Sequence, residues 1–457
     1  MEIGLIGIGN MGRELALNIN DKGYKLHVYN RTTSKTENLV KIRDSIIPHY
    51  TVEDLVKSLP DDPKIIMVLL TTGDAIDLML KELSNFLNEN DIVIDLGNSY
   101  YKDTIRRNNE FKFQFVGAGI SGGEFGARYG ASIMVGCATD VWSKIEKILF
   151  DLSVTSKFTN KKCCGWFGEN GSGHFVKMVH NGIEYSDMGI ISEIYGILKH
   201  KKYDNDKISS LFAQWNNENL ESYLLEISSK ILIYKENDNY LIDKIKDSAK
   251  QKGTGKECVL EAVSLSSPAV SIMESTFSRI ISSRSEIRSK LSNLLKMPKF
   301  NCEIRDLDLN KALYLCRAIS YIQGFNLLNE AFKEYDWHSD FTQVCEIWSD
   351  GCILRGSFLT VMKEICQEVK CDFELSDTFI KIFNENIESL TKVIMYCGGH
   401  GIPIPTISSS YNYILGMKTK ESTGNLIQGM RDCFGAHTVV MKETEEVRHI
   451  DWLSKDE

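Results

Sequence analysis

The sequence predicts a chain in three parts: an α/β domain over residues 1–172, a large all-α domain over 173–417, and a carboxy-terminal tail over 418–457. Three observations carry this. The first part alternates short apolar runs with amphipathic segments, the pattern of a parallel sheet with helices on both faces. From Gly173 onward strand-like alternation is nearly absent, and long amphipathic segments follow one another. From about Lys418 the chain is rich in polar and turn residues.

Composition narrows the functions open to it. With 43% hydrophobic and 25% charged residues, this is an ordinary globular composition. A net charge of −9, from 62 acidic and 53 basic side chains, disfavours nucleic acid as a partner. A small anionic substrate stays open if cations are gathered locally. The apolar run 65–70 is far too short to span a bilayer, so no membrane is expected. No secretory signal is read before the first strand and no retention signal in 454–457, which suits a cytoplasmic location. The 12 cysteines are scattered with no Cys-x-x-Cys pair, as in a reduced protein without structural zinc. Cys397 and His400 offer only two metal ligands and read as a loop cysteine and histidine.

In chain order, a strand over 2–6 runs into Gly7-Ile8-Gly9-Asn10-Met11-Gly12 and then an amphipathic segment to about Asp21. A glycine-rich turn between strand and helix lets backbone N–H groups approach a pyrophosphate. A second strand, 25–29, follows at the distance of a Rossmann-like unit. It ends in Asn30-Arg31-Thr32, where an acidic residue would select a free ribose 2′-hydroxyl. A cation with two neutral hydrogen-bonding neighbours suits a 2′-phosphate instead, so NADP is expected over NAD. Strands over 64–70 and 91–96 complete the series, and the turn Gly97-Asn98-Ser99 makes Asn98 a candidate cofactor contact. A strand over 113–116 feeds Gly117-Ala118-Gly119-Ile120-Ser121-Gly122-Gly123-Glu124. These glycines read as opening the backbone to a ligand, with Ser121 presenting a hydroxyl.

The stretch 173–198 reads as a helix buried in a core. Gly182, Gly189 and Gly196 fall on one stripe where another backbone could come close. Lys177, His180, Asn181 and Glu184 share another face, spanning roughly 100° of the helical wheel. Buried polar groups are costly without partners. Either these four satisfy one another, or they line a pocket that a polar ligand fills. Further helices are expected over 206–234, 257–263, 268–295, 307–334 and 377–395, with a polar break at Asp238-Asn239. Lys252-Gly253-Thr254-Gly255-Lys256 is either a phosphate-binding turn or a solvated one. In the tail, Arg431 to His437 forms a compact cluster, RDCFGAH, too specific for a disordered end.

With these residues assembled, the chain resembles the 6-phosphogluconate dehydrogenase family. The likeness runs from first strand to tail through GIGNMG, YNRT, GISGGEFGARYG, KMVHNGIEY, QKGTGK and RDCFGAHT. It implies NADP-dependent oxidative decarboxylation of 6-phospho-D-gluconate to ribulose 5-phosphate. Lys177 would be the general base and Glu184 the acid that protonates C1 of the enediol. Ser121, Gly122, Gly123, His180, Asn181 and Tyr185 would hold the sugar acid. Lys252, Thr254, Arg279, Arg431 and His437 would hold its phosphate and nearby oxygens. Gly7, Gly9, Asn10, Met11, Gly12, Asn30, Arg31, Thr32 and Asn98 would hold NADP. The family also implies a homodimer whose tails cross into the partner subunit. The sequence departs from the family pattern at Thr71, Leu96, Phe125, Val135, Cys137 and Glu257. Two rival readings are a dehydrogenase of another short hydroxy acid and an NADP-binding protein without turnover.

Overall fold

The computed structural model describes all residues except 62, 296, 298, 299, 301, 339 and 454–457. The expectation about a retention signal therefore lies outside the described residues. The chain packs as two units, Met1–Ser410 and Tyr411–Glu457.

The first unit opens with an eight-stranded sheet. Its strands are β1 (Glu2–Ile6), β2 (Lys25–Tyr29), β3 (Ile47–His49), β4 (Ile65–Val68), β5 (Ile92–Asp95), β6 (Gln114–Ser121), β7 (Ser132–Gly136) and β8 (Cys164–Trp166). They lie in the order β3-β2-β1-β4-β5-β6-β7-β8. Strands β1 to β6 are parallel, and apolar clusters cover both faces, as buried parallel strands require. The expected parallel sheet holds from β1 to β6; β7, a strand that the sequence reading does not include, runs antiparallel to β6. Only the short Gly123–Tyr129 helix joins them, too little chain for a crossover that would bring the strand back parallel.

The glycines before Ser121 also need correcting. They belong to β6 rather than to an open loop. A Cβ on Gly119 would lie 2.3 Å from Lys177 Cβ, and one on Gly117 would lie 2.8 Å from His174 Nδ1. These two glycines let the strand touch the core helix, so they serve packing and not ligand access.

That core helix is Ser172–His200, and nearly all its first half is buried. It packs on the equally long Asp306–Glu334 helix, with a Ser186–Ser320 hydrogen bond of 2.6 Å and a buried Arg317–Asp187 ion pair of 2.9 Å. Two of the three stripe glycines make close contacts. Gly182 faces Cys258 Sγ at 2.5 Å from an added Cβ, and Gly189 faces Thr406 Oγ1 at 2.8 Å, whereas Gly196 faces open space.

The segment 206–234 is two helices, Asn205–Asn216 and Tyr223–Ile233. The second starts where Ser222 Oγ accepts from Leu225 N. The segment 268–295 likewise divides into Val270–Ser282 and Ser285–Leu294. The break at Asp238 is a hairpin turn, with Asn237 and Asp238 both left-handed (φ 49° and 62°), as the tightest hairpins require. Helices Phe341–Trp348, Phe358–Glu368, Pro405–Lys418 and Gly424–Gly435 are additions to the expected set.

In the second unit the Gly424–Gly435 helix is followed by the hairpin Val439–Val440 with Val447–Arg448. Buried Asp432 ties them together. Its carboxylate accepts from Thr438 N (2.8 Å), His449 Nδ1 (2.9 Å), Ile450 N (3.0 Å) and Trp452 Nε1 (2.8 Å). The tail is therefore a small fold of its own.

Candidate active site

The face read from the core helix is assembled in space. Lys177 Nζ donates to Asn181 Oδ1 at 2.7 Å and lies 3.3 Å from His180 Nδ1. His180 Nδ1 is 3.8 Å from the Glu184 carboxylate. From β6, Ser121 Oγ lies 3.4 Å from His180 Nε2. Gly122 is left-handed (φ 116°), and a Cβ there would lie 2.3 Å from Gly351 O. Gly123 is also left-handed (φ 62°), but faces open space. Both turn the chain sharply after Ser121.

The electrostatics pull lysine and glutamate toward each other. Burial pushes the Lys177 amine below the ordinary lysine range, against the opposing pull of Glu184. Burial raises the Glu184 carboxyl, against Lys177 and Arg279. Burial and the Lys177 charge both depress His180, which stays neutral. Desolvation is the cause that lowers the Lys177 amine.

One helical turn on, the Arg279 guanidinium stacks 3.6 Å from the centroid of the Tyr185 ring. Arg279 Nη1 also donates to Lys250 O at 3.2 Å, which brings it to the Lys252 turn. Gly253 in that turn is left-handed (φ 107°), and Thr254 opens the Thr254–Ser264 helix. A Cβ on Gly255 would lie 2.4 Å from the Tyr185 ring, so this helix sits directly on the core helix. Lys252 itself is exposed. Arg431 and His437 belong to the second unit, both exposed, with Arg431 Nη1 donating to Gln428 Oε1 at 3.0 Å.

The glycine turn after β1 has the form a pyrophosphate needs. A Cβ on Gly12 would lie 1.9 Å from Gly7 O, and one on Gly7 would lie 2.4 Å from Leu69 O, while Gly9 faces open space. Met11 packs against the apolar core. Asn10 Nδ2 donates to Glu124 Oε1 at 2.9 Å. Asn30 braces the turn, with Oδ1 accepting from Ile8 N at 2.8 Å. Arg31 and Thr32 are exposed beside it. Asn98 is exposed at the end of β5. Its turn is held by Asp95, which accepts from Gly97 N (2.9 Å) and Ser99 Oγ (2.6 Å).

Sequence reasoning missed several residues that support the site. Glu124 holds Asn10, and Asp95 holds the Asn98 turn. The Trp348 ring stands edge-on to His180 with centroids 5.3 Å apart. Glu261 reaches Tyr100, Tyr101 and Lys102 from the Thr254–Ser264 helix. An acid at the end of a strand is a readable signal for Asp95; the others have none in local pattern. Cys397 and His400 lie at the end of the Asp377–His400 helix and not in a loop, and His400 Nδ1 is 2.8 Å from Tyr396 O. Among the described residues no group of three or more His, Cys, Asp or Glu is placed to hold a metal ion. No described helix is long and apolar enough to cross a membrane.

A glycine turn of pyrophosphate-binding form at the carboxyl end of β1, in one unit with a core helix that carries lysine, histidine and glutamate on a shared face, marks the class: a dinucleotide-dependent dehydrogenase. Residues 2–168 match the model of the NAD-binding domain of 6-phosphogluconate dehydrogenase, and residues 173–452 that of its C-terminal domain. The chain belongs to the 6-phosphogluconate dehydrogenase family. It is 39% identical, over 100% of its length and 99% of the relative's, to a protein of Buchnera aphidicola from Schizaphis graminum named 6-phosphogluconate dehydrogenase, decarboxylating. It is 37% identical to the Escherichia coli K12 protein of that name, over 99% of each chain. The structure of Plasmodium falciparum 6-phosphogluconate dehydrogenase, described as apo and in complex with NADP+ and 6-phosphogluconate, superposes with a TM-score of 0.93 at 36% identity, over 99% of this chain and 100% of that one.

Proposed function

We propose that this protein oxidatively decarboxylates 6-phospho-D-gluconate to D-ribulose 5-phosphate and CO2, reducing NADP to NADPH. The observation that carries the reading is the opposed perturbation of Lys177 and Glu184 on one helix face. A base must be partly neutral and an acid partly protonated near neutral pH, and burial moves each group that way. Lys177 takes the proton of the substrate 3-hydroxyl. When bound, NADP accepts the hydride from C3. The protonated Lys177 then polarises the C3 ketone while the carboxylate carbon leaves as CO2, and Glu184 protonates C1 of the enediol. A β-keto acid loses CO2 readily once its ketone is polarised.

Ser121, Gly122, Gly123, His180, Asn181 and Tyr185 hold the sugar acid in this reading. Lys252, Thr254, Arg279, Arg431 and His437 gather the cations and hydroxyl that its phosphate needs, which an acidic protein must concentrate locally. Gly7, Gly9, Asn10, Met11 and Gly12 cradle the pyrophosphate, Asn30, Arg31 and Thr32 the 2′-phosphate, and Asn98 the nicotinamide side. The domain limits 172/173 and 417/418 are part of the proposal. So is a homodimer in which the tail completes the partner's site. A small fold built on Asp432 that leaves Leu426, Phe434 and Val447 exposed suits a tail made to dock. All 12 cysteines are free thiols, which suits a cytoplasmic enzyme.

The test is NADP reduction with 6-phosphogluconate against the unphosphorylated acid. Turnover with 6-phosphogluconate and a much higher KM for the unphosphorylated acid is expected; equal use of both would sink the phosphate assignments. Cofactor binding without turnover would favour the non-catalytic rival.

A further inference from the structure

The Thr254–Ser264 helix carries a carboxylate with an unusual set of partners. Glu261 is almost wholly buried. Its carboxylate accepts from Tyr100 Oη, from Tyr101 Oη at 2.7 Å and from Lys102 Nζ at 2.8 Å. Three consecutive residues of one segment thus converge on a single side chain from another. Tyr101 Oη also meets Tyr335 Oη at 2.8 Å, and its ring stands edge-on to Phe175 of the core helix with centroids 4.9 Å apart. Burial pushes the Glu261 carboxyl up, but Lys102, Tyr100 and Tyr101 together bring it below the usual range, so it stays an anion.

The two segments that this carboxylate joins each lead to one half of the site. Tyr100 follows Asn98 by two residues and precedes the Tyr101–Glu110 helix. Glu261 lies two helical turns from Thr254, on the helix that the Lys252 turn opens. The same helix is pressed on the core helix at Gly182–Cys258 and Gly255–Tyr185, where no slack exists for it to shift alone. The segment after Asn98 and the helix that begins at Thr254 are thus joined through one charge-assisted cluster.

We propose that Glu261 is a positioning residue that couples cofactor binding at the Asn98 turn to substrate-phosphate binding at Lys252 and Thr254. The inference rests on the function proposed above. With the cluster intact, the cofactor-bound turn holds Thr254 and Tyr185 in register for the substrate. Without it, each ligand binds its own half independently. By linkage, whatever factor NADPH contributes to substrate affinity, substrate contributes equally to NADPH affinity.

The experiment is calorimetric titration of the full-length protein with 6-phosphogluconate, with and without saturating NADPH, a pair that does not turn over. The wild type should bind 6-phosphogluconate roughly 5-fold or more tighter with NADPH present. In Glu261→Gln that ratio should fall to within about 2-fold of unity, the KM for 6-phosphogluconate should rise by about the factor lost, roughly 5-fold, and kcat and NADPH affinity alone should stay within about 2-fold. Lys102→Met, at a half-exposed site, should shift the ratio in the same direction. Retained coupling in both variants overturns the inference. So does an equal fall in both affinities, in kcat and in Tm, which is the mark of a merely structural residue. A wild type that turns over 6-phosphogluconate but shows no coupling overturns the inference alone. A wild type that neither binds nor oxidises it overturns the proposed function and this inference with it.

Discussion

Lys177 and Glu184 stand two helical turns apart, and their environments move their titrations in opposite directions. The sign of the pH dependence follows. With Lys177 as the proposed base, activity requires its amine neutral and so rises with pH through a lysine titration brought below its ordinary range. With Glu184 as the proposed acid, activity requires its carboxyl protonated and so falls as pH rises through a carboxyl titration brought above its ordinary range. Lys177→Ala should cost ~10²–10⁴-fold in kcat and abolish hydride transfer. Glu184→Ala should leave hydride transfer to a 3-keto intermediate while slowing product formation, and should remove the alkaline limb of the pH–rate profile. Near-normal turnover by Lys177→Ala would refute the base assignment. Arg31 tests the cofactor in the same way. A charge-assisted contact to the 2′-phosphate contributes ~1.5–3 kcal/mol, so Arg31→Ala should weaken NADP binding by roughly 10–100-fold and leave NAD binding little changed. Equal losses for the two cofactors, measured by fluorescence titration, would remove the basis for NADP selectivity. Asn30 predicts differently, because its side chain already braces the glycine turn. Both cofactors share that turn.

Between elements, the decisive contact is β6 against the core helix. The strand can touch Lys177 only because Gly119 has no side chain. Gly119→Ala places a methyl where the lysine Cβ and Cγ already are, and overpacking of this kind typically costs about 1–3 kcal/mol. The predicted outcome is a lower urea midpoint together with a loss in kcat larger than the loss in 6-phosphogluconate affinity, since the lysine itself is displaced. An alanine variant with wild-type midpoint and kcat would show that strand and helix have slack there. The shared face of the core helix was legible in sequence because 3.6-residue periodicity places its members without reference to anything else. The purpose of Gly117 and Gly119 was not. A glycine's use depends on what lies across from it, and His174 and Lys177 are more than fifty residues away. The helix break before Tyr223 is fixed by the Ser222 cap on Leu225 N, a contact that helical periodicity does not record.

At the scale of the molecule the question is where the tail serves. Its ordering entropy must be offset by docking against something. The Asp432 cluster already folds it locally, leaving Arg431 and His437 exposed. If the tail completes the partner's site, each site takes Lys177, Glu184, Lys252 and Arg279 from one chain and Arg431 and His437 from the other. Lys177→Ala and Arg431→Ala homodimers should each be nearly inactive. Refolded together, they should recover up to about a quarter of wild-type activity, since half the dimers are mixed and each mixed dimer holds one intact site. No recovery from mixed dimers identified by differential tagging would assign the tail to its own subunit.

By itself the sequence determined the order of parts, the glycine turn after β1 and the polar face of the core helix. Each is written in residues close together, where backbone geometry and helical period act locally. Tertiary structure alone decided the rest: the antiparallel β7, the strand–helix contact at Gly119, Trp348 against His180, and the convergence of Tyr100, Tyr101 and Lys102 on Glu261. These join residues distant along the chain. Side chains so placed meet only when packing closes the core, and no local period records which partner will be there.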